Sequence, residues 1–121
     1  MKIRKHNIEY SFEKIREYWH PHIISELNSQ AVKIAKVKGD FVMHHHEHED
    51  EFFYVIKGCL KIELQDQLLI LEAGECATIP KGIEHRPFAE TETWILLFEP
   101  QTTLNTGQIE NELTKKELKK L

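Results

Sequence analysis

Short apolar runs separated by turn-forming residues make up the chain from residue 23 to residue 98. No segment of this region carries ten or more residues in a helical pattern, so it is predicted to be β structure. Glycine, proline, aspartate or polar clusters separate the runs, as expected for turns. The predicted strands cover residues 31–38, 41–46, 51–57, 59–64, 67–71, 76–80, 84–88 and 93–99. This pattern predicts an all-β fold, a small antiparallel β-barrel or a sandwich, in one domain of residues 1–121.

The two ends of the chain differ from this β pattern. Residues 11–19 place Phe12, Ile15 and Trp19 at helical spacing on one face, which predicts a short N-terminal helix. Residues 114–121 contain a threonine and a glutamate in capping-box spacing, which predicts a C-terminal helix.

Two of the predicted strands carry apolar residues in both phases. In residues 31–38 the apolar positions change from even to odd numbers, which predicts a β-bulge near residues 34 and 35. In residues 51–57 both faces are apolar, so the outer face must be covered. Either the N-terminal helix or a second copy of the chain would cover it, and we expect a homodimer.

Composition limits the classes of function. The 121 residues are 40% hydrophobic and 30% charged, enough for one buried core. The net charge of -4 lacks the positive field that nucleic acids require, so nucleic acid is not an expected partner. No apolar run approaches the roughly 20 residues of a membrane span, and the first residues do not resemble a signal peptide. We therefore expect a cytoplasmic protein without membrane partners, whose Cys59 and Cys76 are reduced thiols.

Histidine is the unusual component, because four of the eight histidines lie in one five-residue stretch. If a strand ending near His46 turns back through a four-residue loop, His46 and Glu51 oppose each other with Cβ atoms about 5 Å apart. His44, two residues earlier, points to the same face. Phe53 and Val55 continue that face as apolar residues, which places the group in the interior. Two imidazoles and a carboxylate buried together predict a divalent transition metal.

Two alternatives remain open at this point. A register in which His46 and His48 are the two ligand histidines leaves only Glu49 and Asp50 for the turn, and these residues do not suit a two-residue turn. The cluster also fits a solvated histidine-rich loop that binds metal adventitiously. In the favoured register His45 points outward and His48 lies at the tip of the loop, so neither is predicted to be a ligand.

Two stretches of the chain carry histidine, glutamate and glycine at motif spacing. The stretch 39–58 contains HxH followed after four residues by Glu and after six more by Gly. The stretch 74–85 contains Gly, five residues, Pro, one residue, Gly, two residues, His. The motif positions are His44, His46, Glu51 and Gly58, and then Gly74, Pro80, Gly82 and His85. These patterns resemble the first and second motifs of the cupin superfamily. Two departures are that four residues rather than five separate Gly39 from His44, and that Ala89 replaces a frequent asparagine.

The resemblance implies what the spacing alone does not, namely that His85 completes a metal site with His44, His46 and Glu51. Such a site implies Fe, Mn, Ni, Co or Zn, with one or two coordination positions open to water or substrate. The order of elements is similar to that of small single-domain cupins of the mannose-6-phosphate isomerase-like group. A barrel of the cupin type, the double-stranded β-helix or jelly roll, is the implied fold.

Three functions follow as hypotheses. The first is a metal-dependent enzyme, of oxygenase or isomerase type, acting on a small organic molecule. The second is a sugar-phosphate isomerase, which would need a cation in the interior, whereas Lys61 is expected to face water and Arg86 to lie opposite to His85. The third is a non-catalytic metal or small-ligand binding or sensor module. No catalytic residue beyond the ligands is predicted, and the predicted pocket residues are Phe53, Val55, Ile62, Thr78, Phe88, Leu96 and Phe98.

Overall fold

The computed structural model describes residues 1–107, 114–115 and 118–121. Within these residues one short helix and seven strands are present, and the strands form an antiparallel sheet. The elements are α1 Ile8–Phe12, β1 His22–Leu27, β2 Gln30–Asp40, β3 Glu51–Lys57, β4 Cys59–Glu63, β5 Leu68–Glu72, β6 Cys76–Ile79 and β7 Arg86–Pro100. The predicted all-β class is confirmed. No helix in the described part of the chain is both long and apolar enough to cross a bilayer.

The long strand β7 joins the two halves of the sheet. Along one edge it pairs with β2, which in turn pairs with β1. Along the other edge its C-terminal half pairs with β3 and its first residues pair with β4. β6 extends the sheet beyond β3, and β5 extends it beyond β4. The sheet does not close into a barrel, which corrects that part of the prediction, but the inward faces of both halves share one core cluster.

Five of the predicted strands begin and end within two residues of the observed strands β2 to β6. The strands predicted over 84–88 and 93–99 form the single strand β7, and β1 is missing from the prediction because its second half is polar and exposed. The segment 41–46 is not a strand. It forms only an isolated bridge, between His44 and His85.

The N-terminal helix is shorter and earlier than the predicted 11–19. It begins after Asn7, whose side chain accepts a backbone N–H at 2.8 Å, and it ends at Phe12. Phe12 and Ile15 pack on the outer face of the sheet, whereas Trp19 packs against the interior cluster. The apolar residues at helical spacing therefore pack on two different faces of the sheet.

The predicted bulge near residues 34 and 35 is wrong because β2 is buried on both faces. Ile34 belongs to the outer cluster with Phe12, whereas Ala35 and Val37 belong to the interior cluster. The register between β2 and β7 is regular through these residues and shifts only after Val37. A second irregularity lies in β1, around Ile24.

The outer face of β3 is covered in part by the chain itself. Ile56 packs against the outer cluster formed by Phe12 and Ile15, so the N-terminal segment covers that end of the strand. At the other end the neighbouring Phe98 is 37% exposed. The homodimer stays a prediction.

The helix predicted over residues 114–121 includes residues 116 and 117, which lie outside the described residues. At the described end of this segment Lys120 forms a parallel bridge with Ile23 instead. The N–H of Leu121 also donates to the carbonyl of Ile23 at 2.9 Å. The last residues thus extend along β1 rather than forming a helical turn there.

Candidate metal centre

His44 and His85 face each other across an isolated antiparallel bridge. The N–H of His44 donates to the carbonyl of His85 at 3.0 Å, and the N–H of His85 donates to the carbonyl of His44 at 2.8 Å. A reciprocal pair of this kind sends both side chains to the same face. The two ring centroids lie 4.4 Å apart. The carbonyl of His46 accepts the N–H of Gly82 at 2.7 Å, so the two motif segments are held together on both sides of His44.

Glu51 reaches the site from the first position of β3. Its partner in the sheet is Ile79 of β6, so the predicted hairpin ladder with His46 is wrong, and the alternative register with His48 is not formed either. His46 meets Glu51 through its side chain, with Nε2 lying 3.3 Å from Oε1. The sequence pattern predicted the right set of side chains but the wrong backbone pairing. Residues 41–46 run beside the segment that leads into β7, whereas the prediction paired them with β3.

The four predicted ligands converge. Their ligand atoms lie within 4.8 Å of one another, and the side chains are those of His44, His46, Glu51 and His85. Each of these residues is at most 4% exposed. Among the described residues no other group of three or more His, Cys, Asp or Glu has this geometry. His48 is exposed beside Glu47 and His45 is half-buried outside the group, as predicted.

Backbone carbonyls determine which ring nitrogen faces the site. Nδ1 of His44 lies 2.9 Å from the carbonyl of Val42, and Nδ1 of His85 lies 2.9 Å from the carbonyl of Ile83. Because a carbonyl only accepts, each Nδ1 carries the proton and each Nε2 presents a lone pair to the interior. This is the orientation that metal-binding histidines adopt.

Several buried nitrogen atoms of the group have no hydrogen-bond partner. These atoms are Nε2 of His44 and both ring nitrogens of His46, whose Nε2 lies 3.3 Å from Oε1 of Glu51 without the geometry of a hydrogen bond. A buried polar atom without a partner is costly, and unfilled ligand positions are a common reason for it. Three imidazoles and one carboxylate match the ligand preferences of Zn, Fe, Mn, Co and Ni. The residues therefore fit the metal that the cupin resemblance implies.

The electrostatics favour the ligand forms of these side chains. Burial, followed by the nearby His85, lowers the pKa of His44 to about 4. Burial alone would raise the pKa of Glu51, but the imidazoles of His46 and His85 outweigh it and hold this pKa below its ordinary value. At neutral pH the site therefore presents a neutral His44 and an ionised carboxylate, which are the forms that bind a cation.

A buried ion pair lies behind Glu51, and the sequence pattern did not predict it. Next to the pairing of Phe52 with Phe98, Glu51 lies close to Glu99. Nζ of Lys33 lies 3.2 Å from Oε1 of Glu99 and 3.4 Å from the carbonyl oxygen of Thr103. Burial, followed by the nearby Glu51, raises the pKa of Glu99 well above its ordinary value. The sequence signal for this ion pair was Lys33, a lysine among the apolar residues that face inward on β2.

A narrow apolar cavity of about 30 Å³ adjoins the site. Its polar lining residues are His44, Glu51 and Asn105. Aromatic rings of Trp19, Phe41 and Phe53 form much of the remaining wall, together with aliphatic residues of β2 and β7. The arrangement places a small, largely apolar space directly against two of the four converging side chains.

The predicted pocket residues divide between the two faces of the sheet. Phe53, Val55 and Ile62 belong to the interior cluster, and Phe53 lines the cavity. The structure places the other four on the opposite face, and they are Thr78, Phe88, Leu96 and Phe98. The adjacent Leu96 and Leu97 made the phase of this strand ambiguous, and pairing with β3 turns Leu97 inward.

The fold and the site define a cupin-type β protein with a potential metal centre. The chain belongs to the cupin domain family, whose sequence profile matches residues 32–98. A cupin-2 domain containing protein from Shewanella frigidimarina has a solved structure that is 42% identical, with a TM-score of 0.77. That alignment covers 78% of this chain and 93% of the other.

Two further relatives are similar. The structure of protein NMB1881 from Neisseria meningitidis is 27% identical with a TM-score of 0.73, over 81% of this chain and all of the other. The uncharacterized protein YdbB of Bacillus subtilis is 41% identical over 64 residues, which are 52% of this chain. The chain spans 57% of the length of that curated relative.

Proposed function

We propose that this cupin is a metal-dependent enzyme, of oxygenase or isomerase type, that acts on a small organic molecule in the cavity beside His44 and Glu51. The observation that carries the proposal is the convergence of four buried ligand atoms within 4.8 Å next to an apolar cavity. A bound divalent transition metal would supply Lewis-acid polarisation of a substrate oxygen or, if iron, redox chemistry. The chain itself orients the ligand nitrogens of His44 and His85 through the carbonyls of Val42 and Ile83.

The sugar-phosphate isomerase is supported less well. A phosphate dianion requires an arginine, a lysine or a helix N-terminus. Among the described residues, the cavity wall contains neither lysine nor arginine. Lys33 is bound to Glu99, and Arg86 lies outside, where its guanidinium contacts Glu63 and Asp40 at 2.8 Å.

A non-catalytic binding or sensor module is the second candidate. One observation favours it, because the part of the cavity wall that the structure describes offers no titratable side chain other than the ligands His44 and Glu51. An enzyme that transfers protons would then have to use a ligand, a substrate group or water. A module that only binds a metal and a small molecule needs no such group.

Metal content and turnover together separate these functions. We would purify untagged protein without added metal, determine its metal content by elemental analysis, and reload metal-free protein with Fe(II), Mn, Ni, Co or Zn. Each form would then be assayed for oxygen consumption and for isomerisation over a panel of small organic molecules, with His44→Ala as the inactive control. Turnover that requires both metal and His44 supports the enzyme. Metal retained near one equivalent with no turnover by any form supports the binding module instead.

A further inference from the structure

Trp19 stands between the cavity and solvent. Its half-buried indole lines the cavity together with His44 and Glu51. The indole stacks on Phe41, with ring centroids 4.8 Å apart and an angle of 25° between the planes. The edge of Phe41 in turn meets the ring of His44 at 5.5 Å. A continuous series of ring contacts thus connects the surface with a ligand of the candidate metal centre.

The backbone of Trp19 is held in an unfavourable conformation. Its φ angle is 60°, in the left-handed region, which costs a bulky residue roughly 1–2 kcal/mol. Two hydrogen bonds of 2.9 Å hold it there, from its N–H to the carbonyl of Lys36 and from Nε1 to the carbonyl of Lys38. Strain of this kind persists where the surroundings over-determine a position, and it is concentrated at functional sites.

The cavity is too small for an organic substrate while Trp19 occupies its wall. A volume of about 30 Å³ holds one or two water molecules. Most of the other walls belong to paired strands, which do not give way without breaking sheet hydrogen bonds. Trp19 belongs to an irregular segment, and its displacement breaks two hydrogen bonds but releases the strain of its backbone. Among the residues that line the cavity, Trp19 is the one whose displacement also releases strain from a positive φ angle.

We infer that Trp19 determines substrate specificity by acting as a movable wall, and that the ligand is a flat apolar molecule with one oxygen-bearing end. Displacement of the indole leaves a slab-shaped space against the ring of Phe41, which suits a planar body by offset stacking. The polar groups of the cavity lie on one side, at His44 and Glu51, so the oxygen-bearing end points there. This inference rests on the proposed function, because it names the substrate class of the same site.

Ligand binding by matched probes tests the inference without an activity assay. The probes are benzoate, which is planar, and cyclohexanecarboxylate, which has the same heavy atoms but a puckered ring. Binding to metal-loaded protein is measured by calorimetry in wild type, Trp19→Ala and Trp19→Phe. We expect wild type to prefer benzoate by about tenfold, equivalent to about 1.4 kcal/mol, because Phe41 and the displaced indole bound the two faces of the slab. Trp19→Ala lacks one of these faces and should lose most of this preference. Trp19→Phe keeps a flat aromatic ring at this position and should retain the preference for benzoate.

Tryptophan fluorescence reports the movement itself. In Trp94→Phe, where Trp19 is the remaining tryptophan, benzoate should shift the emission to longer wavelength because the indole moves into water. Trp94 stacks on Phe12 on the outer face, so the substitution does not touch the cavity. An emission unchanged on saturation, an equal preference in wild type and Trp19→Ala, or no binding of either probe by Trp19→Ala overturns the inference.

Metal content of the same samples keeps the two proposals apart. Trp19→Ala should retain one equivalent of metal, because Trp19 is not among the converging ligands. If wild type itself binds no metal, the proposed function fails. If metal binds but the preference between probes does not depend on Trp19, only the movable-wall inference fails. Trp19→Gly, which accepts positive φ, should be at least as stable as Trp19→Ala, and a markedly less stable glycine variant contradicts the strain.

Discussion

Nε2 of His85 lies 3.2 Å from Oε1 of Glu51, both atoms buried. Because Nδ1 of His85 is committed to the carbonyl of Ile83, a neutral His85 turns a lone pair toward a carboxylate oxygen. Two lone pairs at this distance repel each other unless a proton or a cation lies between them or beside them. A divalent metal satisfies this pair and the unpartnered nitrogens of His44 and His46 together, which a single proton does not.

Replacement of one ligand should abolish tight metal binding, whereas replacement of a neighbouring histidine should not. We expect His44→Ala and His85→Ala to bind less than a tenth of an equivalent of Co(II), because each removes one of four ligands. His48→Ala is the matched control, since its side chain is 81% exposed. Titration calorimetry and elemental analysis measure the difference, and equal loss in all three variants contradicts the assignment.

The metal-free protein should lose stability as pH falls from 6.5 toward 4. Burial, with the adjacent His85, lowers the pKa of His44 from 6.5 to about 4. Between these values the unfolded chain binds a proton that the native chain does not, so the free energy of unfolding becomes smaller as the pH falls from 6.5 toward 4. The contribution of His44 to the free energy of unfolding is fully present above pH 6.5 and is on the order of 3 kcal/mol. Urea unfolding at several pH values measures it, and His44→Gln should flatten the dependence. An unchanged slope in that variant shows that another group titrates.

The buried pair of Lys33 and Glu99 should be far more sensitive than an exposed pair. Lys33→Met leaves the carboxyl of Glu99 buried beside Glu51 without its partner. Because the raised pKa of Glu99 lets this carboxyl take up a proton, we expect a loss of about 1–3 kcal/mol in unfolding free energy. The double variant Lys33→Met with Glu99→Leu should recover much of it, because no unpartnered polar group remains. Lys61→Met, which removes the surface contact with Glu90, is the control and should scarcely change the urea midpoint. Similar losses at both lysines contradict the account.

Gly107 should be required for the position of the first motif. Its φ is 62°, and a Cβ there would overlap the carbonyl oxygen of His45 and approach the ring of His44 to 3.2 Å. We expect Gly107→Ala to lower metal affinity by about tenfold or more, as loss of support around a ligand does. Gly39→Ala has the same kind of backbone with open space around it, so it should reduce stability while leaving metal affinity unchanged. Calorimetric titration with metal measures the affinity of both variants, and equal affinities contradict a positioning role for Gly107.

The candidate ligands were predictable because their signal is local. His44, His46 and Glu51 lie close together in sequence, and the spacing around His85 matches a second motif. The backbone pairing that unites them was not predictable, since a four-residue hairpin explains the first three equally well. The bridge between His44 and His85 and the pairing of Glu51 with Ile79 distinguish the two arrangements, and the bridge joins residues 41 apart in sequence.

The cavity wall was harder to predict for two physical reasons. In β7 the neighbours Leu96 and Leu97 are both apolar, so alternation does not reveal which one faces inward, and the pairing with β3 settles it. Trp19 lies at helical spacing from Phe12 and Ile15, but the helix ends at Phe12. The chain turns back toward the interior at Trp19, whose own φ angle is positive. Contacts of this kind depend on tertiary packing, which overrides local periodicity.

A crystal structure of metal-soaked protein with anomalous diffraction at the absorption edge of the metal tests the central claim most directly. We expect one strong peak about 2.0–2.2 Å from a ring nitrogen of each of His44, His46 and His85 and from a carboxylate oxygen of Glu51. The absence of a peak among these four side chains, or a peak held by His45 and His48 instead, contradicts it.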